Sequence, residues 1–178
     1  MQTLNLIRLS VAHTILPFDC GDEDLNEFLL NDAKNYLAKL LAVTYLLENE
    51  DRTMAFYCLS NDKIAVEDMD SKSQWNKLMA GSMPRQKQYK SYPAVKIGRL
   101  AINKAMQGKG IGTGLLDYIK ENFIDNNKTG CMFITVDAYK DSVKFYLDNG
   151  FKFLCPKKDA LINTNTRLMY YDLRELVS

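Results

Sequence analysis

Residues 94–114 read Ala94-Val95-Lys96-Ile97-Gly98-Arg99-Leu100-Ala101-Ile102-Asn103-Lys104-Ala105-Met106-Gln107-Gly108-Lys109-Gly110-Ile111-Gly112-Thr113-Gly114. Residues 94–102 predict a strand. Its apolar parity breaks, with Val95 and Ile97 at odd positions and Leu100 and Ile102 at even ones. A one-residue slip turns side chains to the opposite face, so a bulge is expected near Gly98–Arg99. The glycines then lead into a helix that reaches about Asp125 on the stripe Ile111, Leu115, Ile119 and Phe123, with Tyr118 beside it. Gly108, Gly110, Gly112 and Gly114 cross the helix start, although each glycine inside a helix costs about 1 kcal/mol relative to alanine. Bare backbone N–H groups at the positive end of a helix dipole form a phosphate cradle, and Lys109 adds a charge. A tight turn with close helix–sheet packing would use the same glycines.

Working outward, residues 4–9 read as a short strand. Asp22 is a candidate N-cap for a helix from about Glu23, with Glu23 and Asp24 in its first turn. Leu25, Phe28, Leu29, Tyr36, Leu37 and Leu40 form its apolar stripe. Residues 42–48 and 53–59 predict an antiparallel hairpin, and 73–80 a short helix before a loop holding Pro84 and Pro93. Residues 131–138 are nearly all apolar, the pattern of a strand buried on both faces. A short helix over 141–149 ends at Gly150, and 151–154 and 166–173 are the last strands. The whole predicts one α/β (α+β) domain over 1–178.

The chain has 178 residues, 47% of them apolar and 25% charged, values of a globular domain with a real core. No apolar run reaches the roughly 18 residues of a membrane span, and Met1–Leu9 lacks a signal-peptide pattern. Cys20, Cys58, Cys131 and Cys155 form no C-x-x-C pair, and as reduced thiols they point to a cytoplasmic protein. His13 is the sole histidine, which argues against Ser-His-Asp, Cys-His and His-rich metal chemistry, so no metal is expected. The net charge of +1 conceals a division. Residues 1–50 hold three bases and eight acids, while 72–109 hold nine bases and no acid. Such a block reads either as an anion-binding surface or as a solvated basic loop.

Two phosphate motifs fail on inspection. A P-loop needs glycine where Asn103 stands and Ser or Thr where Gly110 stands; a dinucleotide fingerprint needs glycine at Thr113. The pattern Q-x-x-G-x-G/A does match, as Gln107, Gly110 and Gly112, after a strand ending Gly98-Arg99-Leu100-Ala101-Ile102. With Val136-Asp137-Ala138, Ser142, Phe145-Tyr146 and Asn149-Gly150-Phe151 in order behind it, the chain resembles the GNAT superfamily of acetyl-coenzyme A-dependent N-acetyltransferases. Residues 18–29 (Phe18 to Leu29), Phe56-Tyr57-Cys58-Leu59-Ser60 and Gly98-Arg99-Leu100-Ala101 are most similar to GNAT toxins of bacterial toxin–antitoxin pairs.

The resemblance implies a mixed, largely antiparallel sheet of six to seven strands, with helices on both faces and a splay between strands 4 and 5. It places the pyrophosphate of acetyl-coenzyme A (acetyl-CoA) on the N–H groups of Gly108, Lys109, Gly110, Ile111, Gly112 and Thr113. Gln107 and Ser142 join the cofactor contacts, and pantetheine pairs with Leu100, Ala101 and Ile102. An oxyanion-binding N–H falls near Ala101–Ile102, and Tyr146 is the general acid. Core packing is the alternative for Tyr146, and helix capping for Ser142. Asp137 is a candidate polar anchor and His13 is structural or exposed. Arg99 is expected near the acceptor. Arg85, Lys87 and Lys90, interleaved with Tyr89 and Tyr92, would meet nucleic-acid phosphates and bases. No general base is legible; an α-amine with pKa about 8 needs no more than a water relay. The toxin-like acceptor is an aminoacyl-tRNA, with a small antitoxin protein as partner; homodimerisation stays open. A small amine or protein N-terminus is the competing acceptor, and a non-catalytic acyl-CoA-binding module the alternative of a different class.

Overall fold

A computed structural model describes residues 4–81, 89–125, 128–157 and 165–177. Seven strands are hydrogen bonded in the order β1-β2-β3-β4-β5-β7-β6. They are β1 (Asn5–Arg8), β2 (Val43–Glu48), β3 (Thr53–Ala65), β4 (Ser91–Ile102), β5 (Phe133–Tyr139), β6 (Lys152–Phe153) and β7 (Thr166–Asp172). The helices are α1 (Glu23–Glu27), α2 (Ala33–Ala38), α3 (Lys72–Leu78), α4 (Ile111–Asp125) and α5 (Val143–Asp148). The sheet is mixed and mostly antiparallel, as the resemblance implies, and β4 and β5 are parallel.

The chain divides into two compact units, Met1–Ser60 with Ile97–Ile119, and Asn61–Lys96 with Lys120–Ser178. In the first, β1 pairs antiparallel with β2, Asn5 opposite Glu48 and Arg8 opposite Tyr45. β2 pairs with β3 from Val43 opposite Leu59, with a register shift at Leu47/Glu48. The Asn49 side chain closes that hairpin by accepting from the N–H groups of Asp51 and Arg52. The buried Glu48 carboxylate accepts from Thr53 Oγ1 at 2.8 Å and meets His13 Nε2 at 3.0 Å, which gives His13 a structural place. Leu9, Phe18, Phe28, Leu29, Ala33, Leu46, Phe56, Cys58 and Ala101 form the core of this unit.

The first helical segment departs from the expected single helix. Asp22 does cap it, accepting from Leu25 N at 3.1 Å. Phe28–Asp32 then forms a π-helical turn, in which Ala33 N bonds to Phe28 O. The extra residue re-phases the stripe, so Ala33 is buried and Asp32 is exposed. Leu40, expected in the stripe, is 92% exposed at φ 59°, because α2 ends two residues earlier.

In the second unit, β5 pairs antiparallel with β7, from Phe133 opposite Asp172 to Tyr139 opposite Thr166, and β6 lies on the far side of β7. Ser71 caps α3. Its core joins Ile64, Met69, Trp75, Met79, Tyr92, Ala94, Phe133 and Leu154. None of the four cysteines is in a disulfide. Among the described residues no helix is long and apolar enough to cross a membrane, and no group of side chains is arranged to hold a metal ion.

Candidate active site

The β4 strand ends in a backbone arrangement that delivers the glycine turn. Burial follows Tyr92 and Ala94, then Val95, Ile97 and Ala101, so its parity changes between Ala94 and Val95. Leu100 and Ile102 are half-buried, and burial does not follow the apolar parity change read at Gly98–Arg99. Beyond the strand, Asn103 N donates to Met54 O at 2.8 Å, and Asn103 Oδ1 accepts from Ala105 N at 3.1 Å. A 3-10 turn over Lys104–Met106 brings the chain to Gln107.

Gly108 and Gly110 adopt φ of 74° and 80°, left-handed values that favour glycine. A Cβ added at Gly108, Gly110 or Gly114 would meet nothing within 4 Å, so the space around these glycines is open. α4 has 15 residues and no acid in its first turn. By position, the N–H groups of Ile111, Gly112 and Thr113 have no intrahelical acceptor. The Lys109 ammonium is exposed, with Met106 Sδ at 3.6 Å. Open space, orphan donors and the positive helix end fit a diphosphate.

Gln107, expected among the cofactor contacts, and the nearby Lys104 both have partners within the protein. Gln107 Nε2 donates to Ile102 O at 3.0 Å and to Cys20 O at 2.9 Å, so its amide nitrogen ties backbone to backbone. Lys104 pairs with Asp19 at 2.5 Å, and Lys104 N donates to Asp19 O at 2.9 Å. The Lys104 hydrogen bond, then the Gly21 N–H and the Asn26 amide, lower the Asp19 carboxyl to about 2. Lys104 is therefore not a spare cation for phosphate.

Arg99, on the same unit, rests on aromatic rings. Its guanidinium carbon is 3.8 Å from the Phe28 ring centroid and 5.7 Å from that of Tyr36. The Cys58 thiol lies against it; burial pushes that thiol up, and the Arg99 charge works in the opposite direction. A Cβ at Gly98 would come within 3.1 Å of Cys58 Sγ, a tight contact that the thiol would have to yield to. Neither Phe28 nor Tyr36 was singled out for the site from sequence, because both fit the ordinary apolar stripe.

The second unit holds Tyr146. Its ring is 6% exposed and packs edge-on against Phe145 and Phe151, with centroids at 5.1 and 5.2 Å. Gly150 makes that neighbourhood: at φ 84°, a Cβ would sit 3.0 Å from Tyr171 Cε2. Burial pushes the Tyr146 hydroxyl above its ordinary value of 10, so it stays protonated. Ser142 occupies the N-cap position of α5 but makes no capping bond, since the 3-10 turn Lys140–Ser142 already precedes the helix. Asp137 pairs with Lys96 at 2.5 Å. Lys90 is exposed, whereas Arg85 and Lys87 lie outside the described residues. Tyr89 is 65% exposed, but Tyr92, expected to stack on bases, is buried against Trp75 with centroids 5.8 Å apart.

Residues 67–160, more than half of the chain, match the acetyltransferase (GNAT) domain. Among solved structures, a Tyr-to-Phe variant of KacT is 27% identical, with a TM-score of 0.77, over 99% of this chain and 98% of that one. A Tyr-to-Phe variant of the AtaT toxin, bound to the C-terminus of the antitoxin AtaR, is 21% identical, with a TM-score of 0.72, over 98% and 95%. AtaT complexed with acetyl-methionyl-tRNAfMet is 22% identical, with a TM-score of 0.71, over 98% of each chain. That domain match over more than half of its length places the chain in the GNAT acetyltransferase family.

Proposed function

We propose that this acyltransferase acetylates the α-amino group of an aminoacyl-tRNA, with Tyr146 as general acid, and that a small antitoxin protein is its partner. Acetyl-CoA is the acyl donor. The observation that supports the acceptor reading is the likeness to AtaT in complex with acetyl-methionyl-tRNAfMet. It runs over 98% of the chain, and so extends well beyond the part matched by the family domain.

In this reading the first-turn N–H groups of α4, with Lys109, hold the diphosphate. The backbone of Leu100, Ala101 and Ile102 aligns the pantetheine arm, and an N–H near Ala101–Ile102 meets the negative charge that develops on the carbonyl oxygen. When bound, acetyl-CoA supplies an activated acyl group as a thioester. Tyr146 Oη holds the proton that the leaving thiolate needs, and its burial keeps that proton in place at neutral pH. The Gln107 amide, bonded to the Cys20 carbonyl, and the Lys104 ammonium, paired with the Asp19 carboxylate, fix the turn.

The test is transfer of labelled acetyl groups to a mixed aminoacyl-tRNA pool, beside polyamines and peptides. Label in the tRNA fraction supports the proposal; label confined to a small amine or a peptide N-terminus rejects it. That second reading is favoured by one observation, the near-neutral charge of +1 with an acidic first quarter, unusual for a nucleic-acid enzyme.

A further inference from the structure

Arg99 sits where a purely structural arginine would have a counter-ion. Its Nε is buried and has no hydrogen-bond partner, and no carboxylate pairs with the guanidinium among the described residues. Acids are not scarce nearby in sequence: Asp22, Glu23, Asp24, Glu27 and Asp32 are exposed on or beside the helical segment that supplies Phe28 and Tyr36. None of them forms an ion pair with Arg99. The Cys58 thiol hydrogen-bonds with the Arg99 side chain, but burial raises its pKa and favours the neutral form, so it supplies no counter-charge. Phe28 covers one face of the planar guanidinium. Its edge can take two oxygens of one phosphate or carboxylate side by side. A buried unsatisfied donor in a native fold asks for a ligand or another explanation. The second observation is local: Phe28 opens a π-helical turn, a feature frequent at functional sites.

We propose that Arg99, stacked on Phe28 beside Tyr36, is an oxyanion subsite that takes a phosphodiester or a carboxylate of the acceptor. The assignment rests on the acetyltransferase reading but not on tRNA as acceptor. Arg99 precedes Leu100, Ala101 and Ile102 on β4, so an acceptor anchored there has its anion fixed to the strand that aligns the donor. The subsite would therefore act on acceptor affinity and leave donor affinity unchanged.

The test uses coenzyme A-saturated protein, so that the diphosphate cradle is already filled. Two probe pairs are titrated by calorimetry: adenosine 5′-monophosphate against adenosine, and N-acetylglycine against N-acetylglycinamide. The charged member of one pair should bind wild type about tenfold more tightly than its uncharged counterpart. Arg99→Gln should abolish that preference, and Arg99→Lys should restore it only in part, because an ammonium lacks the planar fork. A preference in the phosphate pair identifies a phosphate oxyanion; one in the carboxylate pair identifies an acid. Equal binding within both pairs in wild type overturns the proposal without any variant. A preference that survives in Arg99→Gln also overturns it. An anion preference with no tRNA acetylation would reject the tRNA acceptor and keep the subsite.

Discussion

Gln107 Nε2 donates to the carbonyl of Cys20 at 2.9 Å. The glutamine that opens the glycine motif thus ties the turn to the segment before α1, beside the Lys104–Asp19 ion pair. Gln107→Leu removes two hydrogen bonds, each worth about 0.5–1.5 kcal/mol. The expected result is acetyl-CoA affinity weakened by roughly tenfold with kcat nearly unchanged, and no rescue by the shorter Gln107→Asn. Donor titration and steady-state kinetics check this; unaltered KM for acetyl-CoA would mean that the turn holds itself.

Gly110 combines a left-handed φ of 80° with open space where a Cβ would stand. Gly110→Ala should weaken acetyl-CoA binding modestly, through backbone strain of about 1 kcal/mol. Gly110→Asp should weaken it far more, because a carboxylate would enter the phosphate cradle. Calorimetry on the two variants separates strain from charge. Equal affinity of Gly110→Asp and wild type would move the diphosphate away from residues 108–113.

Tyr146→Phe keeps the ring among Phe145 and Phe151 and removes only the hydroxyl. Folding and donor binding should survive while kcat falls about 10²–10⁴-fold. The raised hydroxyl pKa adds a spectroscopic prediction. A raised pKa means that the acid form persists to higher pH than in an ordinary tyrosine. At pH 10.5 the phenolate absorbance of wild type and variant should therefore coincide. A difference of half a tyrosine or more would show that Tyr146 titrates normally.

Asp19 supplies a pH dependence of opposite sign. Its folded-state pKa of about 2 lies below the ordinary 3.8, chiefly through the Lys104 hydrogen bond. Its stabilising contribution is full above the ordinary value and is lost as pH falls toward 2. The stability difference between wild type and Asp19→Asn should be constant from pH 7 to 5 and shrink between about 4 and 2. A difference that does not change with pH would remove Lys104 as the cause.

The glycine turn was legible because glycine density and helical periodicity are local signals, and α4 and β5 followed their patterns closely. The π-helical turn was not: an i+5 bond costs no visible residue, and the stripe Leu25, Phe28, Leu29 and Tyr36 looks the same with or without it. The acid-free block at 72–109 misled in part for a similar reason. Charge partners are chosen in three dimensions, and Lys96 and Lys104 found Asp137 and Asp19 outside the block. Tyr92 is a core ring, and aromatic spacing in a sequence does not distinguish such a ring from a stacking platform.

The acetyl acceptor is the central claim, and its salt dependence tests it most directly. Transfer of labelled acetyl groups to an aminoacyl-tRNA pool should be measured at two salt concentrations with saturating acetyl-CoA. Each neutralised phosphate releases about 0.7–0.9 of a counterion. Wild-type transfer should fall steeply with salt, and changing Arg85, Lys87 and Lys90 together to alanine should flatten the slope by roughly two to three units. No label on tRNA at either concentration, together with clear acetylation of a polyamine or peptide, would contradict the account.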